Sequence, residues 1–277
     1  LINQILESAA AIEKRKDIKL NVFAIANSKK LLLNKNGVTS SWKNDIAKDG
    51  LEYTINDVIA YANQHHLENL IAIDNTASAS FVENYISLIE SSFDLISSNK
   101  VANTLSYGFY KELRKSLTEN QKNYLYETNV GAGLPLIDTI KLLHLSGENI
   151  TKIKGVFSGT LSYLFNNFSA KDAPFSEILK EAIDNGYTEP DPREDLCGND
   201  VGRKLLILAR ELDLQNEFEE ISIQNLIPEH LREGNVTEFL TKLKEFDPIY
   251  DKIKADQKPN HVLRYIGELS GDLQNDK

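Results

Sequence analysis

L-I-A-I-D-N-T-A-S-A-S-F-V-E-N-Y-I-S-L-I-E-S-S-F-D-L-I-S-S-N, residues Leu70 to Asn99, is the stretch that decides the fold. Two short, nearly continuous apolar runs, L-I-A-I-D-N-T and F-D-L-I-S-S-N, flank a segment from Phe81 to Ser91 that reads as a helix. Strands that are apolar throughout, rather than at alternate positions, mark a parallel sheet covered on both faces. The same alternation extends outward. Upstream lie helix L-I-N-Q-I-L-E-S-A-A-A-I, strand K-L-N-V-F-A-I-A-N and helix Ile55 to His66; downstream come helix Gly108 to Leu117 and strand N-Y-L-Y-E-T. The expected fold is α/β, with a Rossmann-like doubly wound parallel sheet met after its first strand.

In such a sheet ligands lie beyond the carboxyl ends of the strands. The residues there are Ala26, Asn27 and Ser28, then Asn75 and Thr76, then Asn99 and Lys100. The glycine-rich turn that cradles a pyrophosphate is absent. At the second-strand position where an acid grips a ribose hydroxyl, the chain reads Asn27-Ser28-Lys29-Lys30, which tolerates a 2′-phosphate and favours NADP over NAD.

From Val130 the character changes. G-A-G-L-P-L-I-D-T-I-K-L-L enters an amphipathic helix with Pro135 near its first turn. This glycine turn lacks the third glycine of a dinucleotide site and fits a domain junction with inward-turned carbonyls equally well. Strand I-T-K-I-K-G-V-F-S leads into S-G-T-L-S-Y-L-F-N-N-F, where Ser158, Gly159 and Thr160 either hold a carboxylate or simply cap the helix. A helix from Pro174 to Asn185 follows. Past Arg210 the sequence gives a connection with a short strand, a helix from Val236 to Phe246, and H-V-L-R-Y-I-G-E-L, an edge strand without an evident partner.

The densest chemistry lies in Gly186–Arg210, G-Y-T-E-P-D-P-R-E-D-L-C-G-N-D-V-G-R-K-L-L-I-L-A-R. Four acids, Glu189, Asp191, Glu194 and Asp195, sit in a proline-bracketed segment expected to be a rigid, non-helical loop. Holding them together is costly unless a cation sits among them. A helix follows, its buried stripe formed by Val201, Leu205, Leu208 and Ala209, with Asp200 and Lys204 four residues apart. An exposed ion pair is the ordinary occupant of that spacing. Against it stands the apolar run L-L-I-L-A beside Lys204, because desolvation is what makes a lysine a useful proton donor near neutral pH.

Composition bounds the rest. At 277 residues and 41% hydrophobic the chain has room for two cores, and a net charge of −10 argues against nucleic acid. No apolar run approaches the roughly 20 residues that span a bilayer. One cysteine, Cys197, fits a reducing, cytoplasmic compartment. Methionine is absent and Leu1 falls inside a helical pattern, which sets the expectation that chain lies outside both ends. No histidine spacing matches a zinc site, and neither a G-x-S-x-G elbow nor a P-loop occurs.

The segments S-N-K-V-A-N-T, E-T-N-V-G-A-G-L-P, G-V-F-S-G-T-L-S-Y and the Gly186–Arg210 motif together resemble homoserine dehydrogenase, closest to the dehydrogenase half of the bifunctional aspartate kinase/homoserine dehydrogenases. The resemblance covers nearly the whole chain. It implies reversible NAD(P)H-dependent reduction of aspartate 4-semialdehyde to homoserine, on the route to threonine and methionine. Carried over by position, it makes Lys204 the proton donor and Asp200 its partner, and sets Lys100 between nicotinamide and substrate. It assigns Glu189 and Asp195 to the substrate ammonium, Gly159 and Thr160 to the substrate end, and Thr76, Lys100, Asn27 and Ser28 to the cofactor. Backbone oxygens of Val130, Ala132 and Leu134, with Glu127, match a monovalent cation site, sodium.

The chain departs from the family at Val101, where a second lysine is common, and in lacking the glycine-rich turn and the C-terminal strands and last helix. The expected organisation is a nucleotide-binding domain over 1–128 and an α/β catalytic and dimerisation domain over 129–277, acting as a homodimer or higher homo-oligomer. The competing expectations are a dehydrogenase for another amino-acid aldehyde and a non-catalytic module that keeps the fold.

Overall fold

The computed structural model describes residues 1–272; the polar end, 273–277, assigned above to the second domain, lies outside the described residues. The first half runs α1 (Ile2–Lys16), β1 (Ala24–Ala26), β2 (Leu31–Leu33), α2 (Trp42–Asp49), α3 (Ile55–Gln64), β3 (Ile71–Asp74), α4 (Ala79–Val82), α5 (Tyr85–Glu90), β4 (Asp94–Ser97), α6 (Tyr107–Glu119) and β5 (Tyr124–Leu125). The second runs α7 (Leu136–Leu145), β6 (Lys152–Gly155), α8 (Gly159–Ala170), α9 (Phe175–Asp184), α10 (Arg193–Leu196), α11 (Asn199–Arg210), α12 (Val236–Thr241), α13 (Asp247–Ala255) and β7 (Gly267–Ser270).

Strands β3, β4 and β5 form the parallel sheet in that order, Ile71 facing Asp94 and Leu95 facing Tyr124. The apolar runs around Leu70–Asn99 thus become adjacent strands joined through helix, as their composition requires. One face packs well: α5 buries Tyr85, Leu88 and Ile89 and α6 buries Leu113 and Leu117. The other face corrects the expectation of cover on both sides, since Ile71 and Ile73 are 49% and 41% exposed and Leu125 is 59% exposed.

The run K-L-N-V-F-A-I-A-N does not join this sheet. Its Ala24–Ala26 portion pairs antiparallel with Leu31–Leu33, a second apolar run immediately after it. The connecting turn is closed by Asn27, whose Oδ1 accepts from the amides of Lys29 and Lys30, both at 2.9 Å. A side chain that bonds its own following amides makes a tight turn locally, and this is sequence-near pairing with little loop entropy to lose.

Two other expectations need correcting. The proline-bracketed loop contains the helical turn α10, because Pro192 occupies the position before its first turn, where a missing N–H costs nothing. The late strand has a partner within the chain: β7 pairs antiparallel with β6, Ile153 opposite Leu269. The segment around Ile221–Ile227 forms no strand, and the helix expected over Val236–Phe246 shortens to α12, with α13 following.

Two hydrophobic cores meet at α11. One contains Leu95, Leu113 and Tyr124 with Ile207, Leu208 and Ala209; the other contains Leu164, Phe168 and Phe175 with Val201. The helix is therefore buried on several sides. Leu206 and Ile207 are fully buried while Leu205 is only partly so, which replaces the simple stripe read from spacing.

Candidate active site

The first turn of α11 is set by Gly198, whose φ of +79° is open to glycine and strained for other residues. A Cβ there would also fall 2.2 Å from the Tyr265 hydroxyl and 2.9 Å from Ile223. Asp200 follows in the first turn, where the helix dipole favours an acid.

Asp200 is shared by two lysines. Its Oδ2 lies 2.6 Å from Lys204 Nζ, and its Oδ1 lies 3.4 Å from Lys100 Nζ. Lys100 follows the carboxyl end of β4, so this carboxylate links the parallel sheet to α11. Lys204 is only 17% exposed, and its Nζ also donates to the carbonyl of Phe157 at 2.6 Å. An ammonium has three donors. Among the described residues two are committed here, leaving one N–H for a ligand oxygen. The exposed ion pair of ordinary helices is thus excluded for Lys204, although Asp200 remains 46% exposed.

Phe157 was invisible as a site residue because its contribution is a backbone carbonyl. Its ring lies against β7: a Cβ on Gly267 would approach it within 2.7 Å. The β6–β7 pair thereby fixes the acceptor that holds Lys204.

The next residues along the chain open α8. Ser158 caps it, its hydroxyl accepting from the Leu161 amide at 3.1 Å, and the Thr160 hydroxyl donates to the Tyr187 carbonyl at 2.7 Å. Both hydroxyls are therefore structural, while the amides of Gly159 and Thr160 belong to the first turn, which has no intrahelical acceptors. Gly159 faces open space. The Thr160 bond brings this turn to within two residues of Glu189.

Within the acidic loop the charges are unequal. Arg193 grips Asp191 through both carboxylate oxygens, at 2.7–3.0 Å, and those bonds hold the Asp191 carboxyl below its usual range. The cation that the sequence demanded comes partly from inside the loop. Asp195 accepts the Glu189 amide at 2.8 Å, and neither Asp195 nor the exposed Glu189 is paired with a cation among the described residues.

The remaining positions divide. Thr76 stands at the exposed rim beyond β3, 3.5 Å from the side chain of Asn99, the residue before Lys100. Asn27 and Ser28 lie in the β1–β2 turn, away from the parallel sheet, because β1 pairs with β2 instead. Lys30 points its ammonium at the Ala47 carbonyl, which leaves Lys29 as the lysine of that turn without a side-chain bond among the described residues. Glu127 caps α7, accepting from the amides of Ile137 and Asp138 at 2.8 and 3.0 Å. Nearby, Gly131 and Ala132 both have positive φ, and the Leu134 carbonyl accepts from Leu136. Asn129 ties this turn to the sheet by donating to the Ser97 carbonyl at 3.0 Å.

Sequence reasoning also missed Arg210. It is 2% exposed and donates to the carbonyls of Asn103 and Leu105 at 2.9 and 2.8 Å. The helix that carries Lys204 thus clamps, at its other end, the segment that follows Lys100.

A parallel α/β sheet with a lysine–carboxylate cluster at its carboxyl edge, completed by a second α/β half, defines the class: a dinucleotide-binding fold with a further α/β half packed on the same helix, α11. The family model for the homoserine dehydrogenase NAD binding domain matches residues 1–127, and that for homoserine dehydrogenase matches 135–275. The chain belongs to the homoserine dehydrogenase family. It is 40% identical, over 99% of its length, to the bifunctional aspartokinase/homoserine dehydrogenase of Buchnera aphidicola, of which it covers 34%. It is 37% identical, over 83% of its length, to the homoserine dehydrogenase of Schizosaccharomyces pombe, of which it covers 62%. The chain therefore spans about a third of the length of the bifunctional relative. Among solved structures it resembles a Candida auris protein of unknown function (TM-score 0.81, 31% identity, 96% of this chain and 77% of that one). It shares its fold with a hyperthermophilic archaeal homoserine dehydrogenase in complex with NADPH (TM-score 0.67, 19% identity, 95% of this chain and 74% of that one). Among the described residues no helix is long and apolar enough to cross a membrane.

Proposed function

We propose that this chain catalyses the reversible NAD(P)-linked reduction of aspartate 4-semialdehyde to homoserine. The observation that carries the reading is the Lys204 ammonium, held at 2.6 Å by both Asp200 and the Phe157 carbonyl, with one donor uncommitted and Lys100 on the other side of the same carboxylate. When bound, the reduced nicotinamide supplies the hydride to the aldehyde carbon. Negative charge then builds on the carbonyl oxygen, and the free N–H of Lys204 both stabilises that charge and delivers the proton. Asp200 fixes the ammonium's direction. Glu189 and Asp195, without cationic partners among the described residues, receive the substrate ammonium, and the amides of Gly159 and Thr160 receive its carboxylate.

The exposed polar rim at Thr76 and Lys100 fits a nicotinamide; the acid-free turn at Asn27 and Ser28 lies off the parallel sheet, so the choice between NADP and NAD no longer rests on it. A monovalent cation, sodium, would rest on the carbonyls of Val130, Ala132 and Leu134, with Glu127 beside them. Its support is the pair of positive φ values that turn this loop. We place the division between domains near residue 128, between the last parallel strand and α7. Homodimerisation and a cytoplasmic location follow from the family resemblance and the single cysteine; the unpaired late strand no longer argues for a dimer.

The test is oxidation of homoserine by NADP⁺ in the full-length protein, set against close analogues that lack the amino or the carboxyl group. Turnover of homoserine well above that of the analogues is expected. Equal turnover of another amino alcohol, or none of homoserine, would overturn the assignment.

A further inference from the structure

Beneath the rim lies a set of buried polar groups that the chemistry above does not use. Asp74, the last residue of β3, is 4% exposed. One carboxylate oxygen accepts from the Thr76 amide at 2.7 Å; the other accepts from the Tyr85 hydroxyl at 2.7 Å and the Asn99 side-chain amide at 3.0 Å. All three donors are neutral. No lysine, arginine or histidine pairs with Asp74 among the described residues, and the nearby Lys100 turns its ammonium to Asp200 instead. Buried carboxylates are normally paired with a cation or a metal, because desolvation alone costs several kcal/mol.

The network holds both loops of the rim. Asn99 also donates to the Ser78 carbonyl at 3.1 Å, and its Oδ1 accepts from the Val101 amide at 3.0 Å. Tyr85 reaches Ser97 at 2.9 Å, and its burial pushes the phenol upward, so it stays a donor. Thr76 on one side and the Asn99–Val101 segment on the other are therefore both tied to a single carboxylate. A purely mechanical tie could be made by an amide or a serine. A charge left without a partner does something more: it sets a negative potential at the carboxyl edge, and an oxidised nicotinamide ring is cationic where the reduced ring is neutral.

We infer that Asp74 is a positioning residue whose buried, cation-free carboxylate makes the rim between Thr76 and Lys100 favour the oxidised over the reduced cofactor. This rests on the cofactor reading given above. The test measures equilibrium binding of NADP⁺ and of NADPH separately, by calorimetry, in the full-length protein and its variants. Asp74→Asn should weaken NADP⁺ binding roughly tenfold more than NADPH binding, since only the former ring carries the charge that the field acts on. Tyr85→Phe, which removes a donor and keeps the charge, should leave the ratio of the two affinities within about twofold of the wild type. If thermal unfolding shows that the asparagine variant does not fold, Asp74→Ser, which keeps an acceptor for the Thr76 amide, takes its place with the same expected ratio. Equal losses for both nucleotides would reduce Asp74 to a mechanical tie and overturn the inference. A wild-type protein that binds neither nucleotide would instead remove the cofactor reading itself.

Discussion

The two ends of α11 use the same kinds of residue for different ends. At its N-terminus, Asp200 stands between Lys100 and Lys204, with the three side chains 46%, 30% and 17% exposed. At its C-terminus, Arg210 and the adjoining Glu211 are almost wholly buried, their side chains 0% and 4% exposed. There Glu211 takes the Tyr126 hydroxyl and lies 3.4 Å from Lys141, while Arg114 donates to the Tyr126 hydroxyl at 2.8 Å. Arg210 is divided among the carbonyls of Asn103, Leu105 and Asn216. The two terminal nitrogens of Arg210 are committed to acceptors inside the protein, while its Nε–H is buried without a partner among the described residues. The N-terminal end keeps one N–H of Lys204 in reserve, beside solvent. A buried charge sealed from solvent can only hold a shape, even with a donor left over; a lysine with a spare donor within reach of solvent can act on something that arrives.

The sharpest way to break this contrast is at the anchoring end. Arg210→Met should destabilise the protein by about 3–5 kcal/mol, because it strips buried carbonyls of their donor while filling similar space. Denaturant unfolding of the variant measures it, and a loss below about 1 kcal/mol would mean that Arg210 contributes no more than a surface charge does. Asp200→Asn addresses the other end. The Asp200 carboxylate is 46% exposed and Lys204 keeps its bond to the Phe157 carbonyl, so unfolding should shift by under about 1 kcal/mol. Turnover should nonetheless fall on the order of ten- to a hundredfold, as Lys204 loses the group that aims it. Comparable losses in stability and turnover would erase the distinction between the two ends.

Much of this contrast was legible in the sequence. The parallel strands β3 and β4 are local apolar runs, and the pairing of Asp200 with Lys204 is a matter of helical spacing. The spacing of Val201, Leu205, Leu208 and Ala209 and the apolar run beside Lys204 pointed to the helix that α11 is. What could not be read depends on partners distant along the chain. Arg210 finds its acceptors more than a hundred residues upstream, at Asn103 and Leu105. β7 closes on β6 across a similar span, and the Phe157 carbonyl carries no side-chain signature at all. The β1–β2 hairpin failed for another reason: a strand was read correctly, but the neighbouring Leu31–Leu33 run competed for it more cheaply than a distant sheet could.

A smaller effect concerns the antiparallel pair of β6 and β7 that fixes Phe157. Glu268 on β7 receives Lys152 at 2.7 Å and Lys154 at 2.8 Å, and these bonds hold its carboxyl down to about 2. A carboxyl depressed in the folded state adds stability that is fully present above its ordinary value of 4.5 and is lost as the pH falls toward 2. Thermal unfolding of Glu268→Gln against the wild type should show a small gap at neutral pH that closes across that acid window. A gap that is constant with pH would remove these lysines as the cause.

The most direct measurement is single-turnover oxidation of homoserine by Lys204→Ala, run beside its NADP⁺ affinity and its unfolding free energy. We expect the chemical step to slow by roughly 10²–10⁴-fold, the usual worth of a positioned acid–base group, with cofactor affinity and stability close to the wild type. A chemical step within a few-fold of the wild type would contradict the account, because the reserved donor of Lys204 would then have no part in the reaction.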